Sequence, residues 1–206
     1  RFTGLWVMLQ ANPKSSPVSS EVFRKAANIF WGHEKAWDLM THEGKAHAAA
    51  RIIDRTYVKE SLLLCDSCWP LMVSWHTPDN LGDPTLESQT FTAVTGIPMD
   101  QKRLELYGER IFNIELAILI REGRIPLIDD VVAEYNYTEP VQTVFMNPDV
   151  LVPGQGDLIL TRKGMTLDRK IFEQMREQFY ELRGWDVKTG VQMPDTLIRL
   201  SLKELI

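Results

Sequence analysis

Cysteine is almost absent from this chain: 206 residues contain two, Cys65 and Cys68. Two are too few for a disulfide scaffold, and their isolation points to a reducing, cytoplasmic compartment. Long apolar runs are missing as well. No stretch approaches the ~20 residues that cross a bilayer, and the N-terminus lacks the ordered charged, apolar and small-residue regions of a signal peptide. No lysine or arginine run stands out, and the formal net charge is -5, which argues against a nucleic-acid or anionic-membrane partner. An initiator methionine is missing too, and the opening "RFTGLWVMLQ" reads as the interior of a longer protein. What remains is globular in composition, 44% hydrophobic and 25% charged, and long enough to bury a core.

Helical periodicity dominates. After the Pro/Ser-rich "ANPKSSPVSSEV", with Ser19 or Ser20 as a cap, a helix is predicted over 21–31 with Val22, Ala26, Ile29 and Phe30 on one face. A longer pattern follows Gly44, with Ala46, Ala49, Ala50, Ile53, Tyr57 and Leu64 in line. Asp83-Pro84 is expected to cap and open a short helix to about Val94. The clearest helix runs from Asp100 to Glu122, with Leu104, Tyr107, Ile111, Ile114 and Ile118 predicted to face the core and Gly123 as its stop. A weak helical turn is expected over 129–134. Residues 136–165 form a long Pro/Gly-rich excursion with short strands, of the length that usually carries function. A last strong helix, Leu167 to Leu182, has Leu167, Ile171, Met175, Phe179 and Leu182 on one face, and "PDTLIRLSLKELI" adds a short one. The fold class is mainly α, an irregular helical domain over 1–206 with 136–165 as an extended loop within it.

The cysteines close the second pattern, in "VKESLLLCDSCWP", Val58 to Pro70. Two buried core thiols are the plain reading, because free cysteine behaves as a small hydrophobe. A thioredoxin-like C-x-x-C belongs at a strand-to-helix turn, which an α-rich chain does not offer. Zinc needs four ligands, and beyond Cys68 only His76 is near. The remaining reading is a ligand contributed to a metal cluster whose other ligands lie elsewhere.

"EGKAHAAARIIDRTYVKESLLLCD", Glu43 to Asp66, resembles a stretch of the tungsten aldehyde:ferredoxin oxidoreductases, of the type E-G-K-A…D…D-S-x-G-L-C. "GERIFNIELAILIREGR", Gly108 to Arg124, is similar to the E-R-I-x-N…R-E-G segment of that family. "TAVTGIPMD" and the tail "FYELRGWDVKTGVQMPDTLIRLSL", Phe179 to Leu202, also match, in the same order.

The resemblance implies the C-terminal domain of such an enzyme. In that frame Cys65 is a ligand of a 4Fe-4S cluster, Glu60 is the pterin-contacting acid, and Leu64 makes backbone contact with the pterin. Cys68 has no counterpart and is expected to be structural. Two departures stand out. Glu60 replaces an aspartate with a longer carboxylate, and Leu63 replaces a glycine, which argues against close approach of the backbone there. The C-x-x-C-x-x-x-C triplet and the N-terminal β domain of the family are absent, so three cluster thiolates would come from missing N-terminal domains.

The implied reaction oxidises an aldehyde with water to the acid on a tungsten (or molybdenum) bis-pterin, and electrons pass through the cluster to ferredoxin or another electron carrier. The isolated chain is then expected to hold no cofactor and to be inactive, while oligomerisation stays open. Two alternatives remain: the tungsten subunit of a benzoyl-coenzyme A reductase-like enzyme, and a cofactor-free helical interaction module. The catalytic acid or base is unassigned. His42 and His47 are the better candidates among four histidines, with His33 and His76 behind them, and the tryptophans Trp31, Trp37, Trp69 and Trp75 read more readily as core than as a cofactor box.

Overall fold

Ser19 marks the first helix: its side chain accepts the Val22 N–H at 3.3 Å, and α1 runs Ser20–Trp31. The computed structural model describes residues 19–65, 72–74, 76–144, 147–155 and 158–205. Seven further helices follow: α2 Lys45–Ser61, α3 Leu86–Thr95, α4 Gln101–Arg121, α5 Pro126–Asp129, α6 Tyr135–Thr138, α7 Arg169–Arg183 and α8 Pro194–Arg199. The described strands are β1, Leu151–Pro153, and β2, Ile159–Thr161, an antiparallel pair with Val152 opposite Leu160. The protein is therefore mainly helical. Among the described residues no helix is long and apolar enough to cross a membrane.

The chain divides into two compact units, residues 1–45, 71–82 and 132–173, and residues 46–70, 83–131 and 174–206. In the first, α1 packs on a 3-10 turn, Glu34–Trp37. Its apolar residues Phe23, Ala26, Ala27, Phe30, Trp31, Ala36 and Trp37 are all buried. The Ser20 hydroxyl donates to the Gly154 carbonyl at 2.8 Å, tying α1 to the end of β1. Ile29, expected inward, is largely exposed, because Phe23 and Ala27 set the buried face of α1.

In the second unit Leu116, Tyr180 and Trp185 form a core, with Phe112, Ile120, Phe179 and Val187 packed around it. The α4 face differs from the expected one. Leu104 is buried, but Tyr107, Ile114 and Ile118 are exposed, and Gly108, Asn113 and Leu116 point inward instead. The cause is polar as much as apolar. A Cβ on Gly108 would lie 2.1 Å from the Asp54 carbonyl, so α2 and α4 meet there backbone to backbone.

Asn113 is fully buried; its Oδ1 accepts the Trp185 indole N–H at 3.1 Å, and its carbonyl accepts the Gln192 amide at 2.8 Å. On α7, Ile171, Met175 and Phe179 are half-buried as the pattern predicts, but Leu182 is exposed and Arg183 is buried in its place.

Helix ends follow the sequence more closely than faces. Asp100 caps α4 by accepting the Arg103 N–H at 2.7 Å. Asp83 does not cap a helix: its carboxylate accepts the Thr85 N–H at 2.8 Å, and α3 begins only at Leu86. The turn expected at 129–134 is split into α5 and α6 on either side. Pro126 presets the first turn of α5 and Asp129 accepts the Ile125 N–H at 2.7 Å, so helix forms before 130.

Candidate functional site

α2 carries the sequence that ends at Cys65, and buried charges hold it. Asp54, in mid-helix, accepts from Arg183 at 2.6 Å, and the same guanidinium donates to the Ala50 carbonyl at 2.8 Å. Arg183 lies over the rings of Phe112 and Phe179, at 5.2 and 5.3 Å. Burial pushes the Asp54 carboxyl up from an ordinary 3.8 to about 6, against the opposing pull of Arg183. Three of the motif-bearing segments meet here: α2 through Asp54, α4 through Gly108 and Asn113, and the tail through Arg183, Trp185 and Gln192.

The next residue of α2, Arg55, pairs with Glu87 of α3 at 2.6 Å, with both side chains largely covered. Lys59 follows on the same side and is 1% exposed. Burial lowers its affinity for a proton and Arg55 adds to that, while Glu60, Glu87 and Cys65 act in the opposite sense. Tyr57 donates to Glu115 of α4, and burial together with that carboxylate raises its phenol.

The helix then closes in a defined way. Leu63 donates its N–H to the Glu60 carbonyl at 3.2 Å, and Leu64 donates to the Lys59 carbonyl at 2.9 Å. Leu63 itself sits at φ 58, in the left-handed region. This pair of bonds around a left-handed residue is a Schellman motif, normally built on glycine. Leu63 stands where the resembling family has glycine, and the backbone keeps the glycine conformation with a side chain attached. That side chain is 92% exposed.

The structure places the three expected site residues on this one closure. Glu60, in the last turn of α2, is exposed; Leu64 is half-buried; Cys65, just past the turn, is exposed. The expected alignment of Leu64 with Ala46 and Tyr57 on one helical face does not hold, because α2 ends at Ser61. Cys68 lies outside the described residues, as do Trp69 and Trp75. Trp31 and Trp37 are core residues.

The histidines do not gather here. His33 Nδ1 accepts the Lys35 N–H at 3.3 Å, and its ring packs against Gly44, where a Cβ would lie 2.5 Å away. His42 is half-buried and disfavours its charged form, through burial first and then Arg162 and Lys45. His47 and His76 are exposed. Among the described residues no three His, Cys, Asp or Glu side chains come together to hold a metal ion.

Sequence reasoning missed two lysines. Lys45 donates to the carbonyls of Ala36 and Asp38, both at 2.6 Å, and burial brings it down to about 8. Lys59 is buried in the last turn of α2, six residues before Cys65. Lys45 stands in the E-G-K-A segment of the resemblance, which gives it no role, and Lys59 has no sequence signal, because an isolated lysine in a helical pattern reads as a solvated one.

The model of the family described as "Aldehyde ferredoxin oxidoreductase, domains 2 & 3" matches residues 12–202. No solved structure matches the chain.

Proposed function

The chain belongs to the aldehyde ferredoxin oxidoreductase family, matching the model of its domains 2 and 3 over residues 12–202, and from that premise we propose that it supplies the closed end of α2 to a tungsten (or molybdenum) pterin and iron–sulfur enzyme that oxidises aldehydes to acids. The observation that carries this reading is the Schellman closure at Lys59–Leu64, which presents an exposed carboxylate and an exposed thiol a few residues apart.

The donor chemistry fits the two groups expected. A cluster iron takes a thiolate, which Cys65 offers at the surface, and one thiolate of four is this chain's share. A pterin presents N–H groups, and a carboxylate such as that of Glu60 has two oxygens with which to receive them. The Leu64 N–H is committed to the Lys59 carbonyl, so a backbone contact at this residue falls to its carbonyl oxygen. When bound, the metal–pterin and the cluster supply the two-electron oxidation and its division into single electrons for ferredoxin. This chain's residues position those groups: Glu60 orients, Cys65 ligates, and the hydrogen bonds between them keep their separation fixed.

The test uses the full-length enzyme. Cys65→Ala should lose iron and the electron paramagnetic resonance signal of the reduced cluster, while Cys68→Ala should keep both. A Cys65→Ala enzyme with full iron content and an unchanged signal overturns the assignment.

A further inference from the structure

A lysine is among the residue types least often fully buried, because its ammonium loses hydration on leaving water. Lys59 is 1% exposed all the same. It lies in the last turn of α2, and its carbonyl accepts the N–H of Leu64, the residue before Cys65. The Cys65 sulfur is among the groups that act on its ammonium. Arg55 and Glu87, themselves paired at 2.6 Å and largely covered, also act on it. A buried lysine side chain therefore lies within electrostatic reach of the exposed Cys65 thiol. That thiol is also where a cation has most effect, since the charge of a ligated cluster changes by one unit with each electron.

We propose that Lys59 is a tuning residue: its buried ammonium, with Arg55 and Glu87 beside it, raises the reduction potential of the iron–sulfur cluster bound through Cys65. This rests on the assignment of Cys65 as a cluster ligand. The physical reason is differential. A nearby cation attracts the reduced cluster, which carries one more negative charge, more strongly than the oxidised one, and net local charge is among the levers that set such potentials. Because the ammonium is buried, counter-ions screen it weakly, and its influence persists at high ionic strength.

The experiment is a redox titration of the full-length enzyme, read by the electron paramagnetic resonance signal of the reduced cluster, with iron content measured alongside. Lys59→Met should shift the midpoint to more negative potential with iron content unchanged, and Lys59→Arg, which keeps the charge, should stay close to wild type. Glu87→Gln removes the buried anion with little change of shape and should shift the midpoint the opposite way. A midpoint in Lys59→Met equal to or above wild type overturns the proposal. Should Lys59→Met fail to accumulate, a Glu87→Gln midpoint at or below wild type overturns it instead. Cys65→Ala separates the two readings: if that variant keeps its cluster, the ligand assignment has failed, whereas loss of the cluster there with no shift in the Lys59 and Glu87 variants defeats the tuning role alone.

Discussion

Replacing Leu63 by glycine should make this protein more stable, an unusual expectation for the loss of a whole leucine side chain. At 92% exposure that side chain contributes almost no burial, so removing it forfeits almost nothing from the core. Its backbone is held at φ 58, where an L-residue costs roughly 1–2 kcal/mol through the clash of Cβ with the following carbonyl. Glycine removes that clash but gives the unfolded chain more freedom, an offset of roughly 0.4–1 kcal/mol. The balance is a gain of about 0.5–1 kcal/mol, or a rise in midpoint temperature of about 1–4 °C for a chain of this size.

Urea and thermal unfolding of the 206-residue chain give the global number. Hydrogen exchange at the Leu64 amide reports the local one, because that N–H closes the motif on the Lys59 carbonyl. Leu63→Ala is the control, since alanine keeps the Cβ and its clash, and it should gain little. A Leu63→Gly protein less stable than wild type would refute the left-handed turn. An alanine variant that gains as much as glycine would show that the benefit came from shedding an exposed leucine and not from the backbone.

Two further outcomes follow from the second unit. Asp54, with its folded-state pKa raised to about 6 from 3.8, favours the folded state most fully below pH 4; that contribution, on the order of 2–3 kcal/mol, should be lost as pH rises through 6, and Asp54→Asn should flatten this part of a stability-against-pH profile. A wild type with no excess slope over Asp54→Asn in that window would contradict the burial argument. On α4, Leu116→Ala should cost roughly 2–5 kcal/mol in chemical denaturation, and Ile114→Ala, at 36% exposure, less than half as much; equal losses would mean that the buried face has been misplaced.

The sequence marked where helices start and stop better than which way they face. Ser19 and Asp100 announce their caps through short side chains able to accept an N–H, and that chemistry is local. The buried face of α4 is not local. Apolar residues surround that helix, so their spacing could not choose a side, and the choice fell to Gly108 against the Asp54 backbone and Asn113 under Trp185. α2 is harder still, since Asp54 and Lys59 are the residues that hydrophobic counting would turn to water.

At the candidate site, the family resemblance pointed to Glu60, Leu64 and Cys65 as residues of one motif. The Leu63 substitution suggested a changed backbone, whereas the backbone kept its turn and placed the leucine outside. Lys59, four residues before it, gave no signal, because only tertiary packing decides whether a helical lysine meets solvent.

The segment from Asp54 to Glu60 works as a gauge of fixed length. Arg183 grips one end, the closure at Leu63 releases the chain at the other, and the six residue steps from Asp54 to Glu60 span about 9 Å of helix. One residue inserted there would advance the thiol-bearing turn by about 1.5 Å and swing it by about 100° around the axis. Substitutions along this rod can be absorbed, but insertions and deletions cannot, and a change of length at this place would uncouple the tail of the protein from the residue its grip on α2 holds in register.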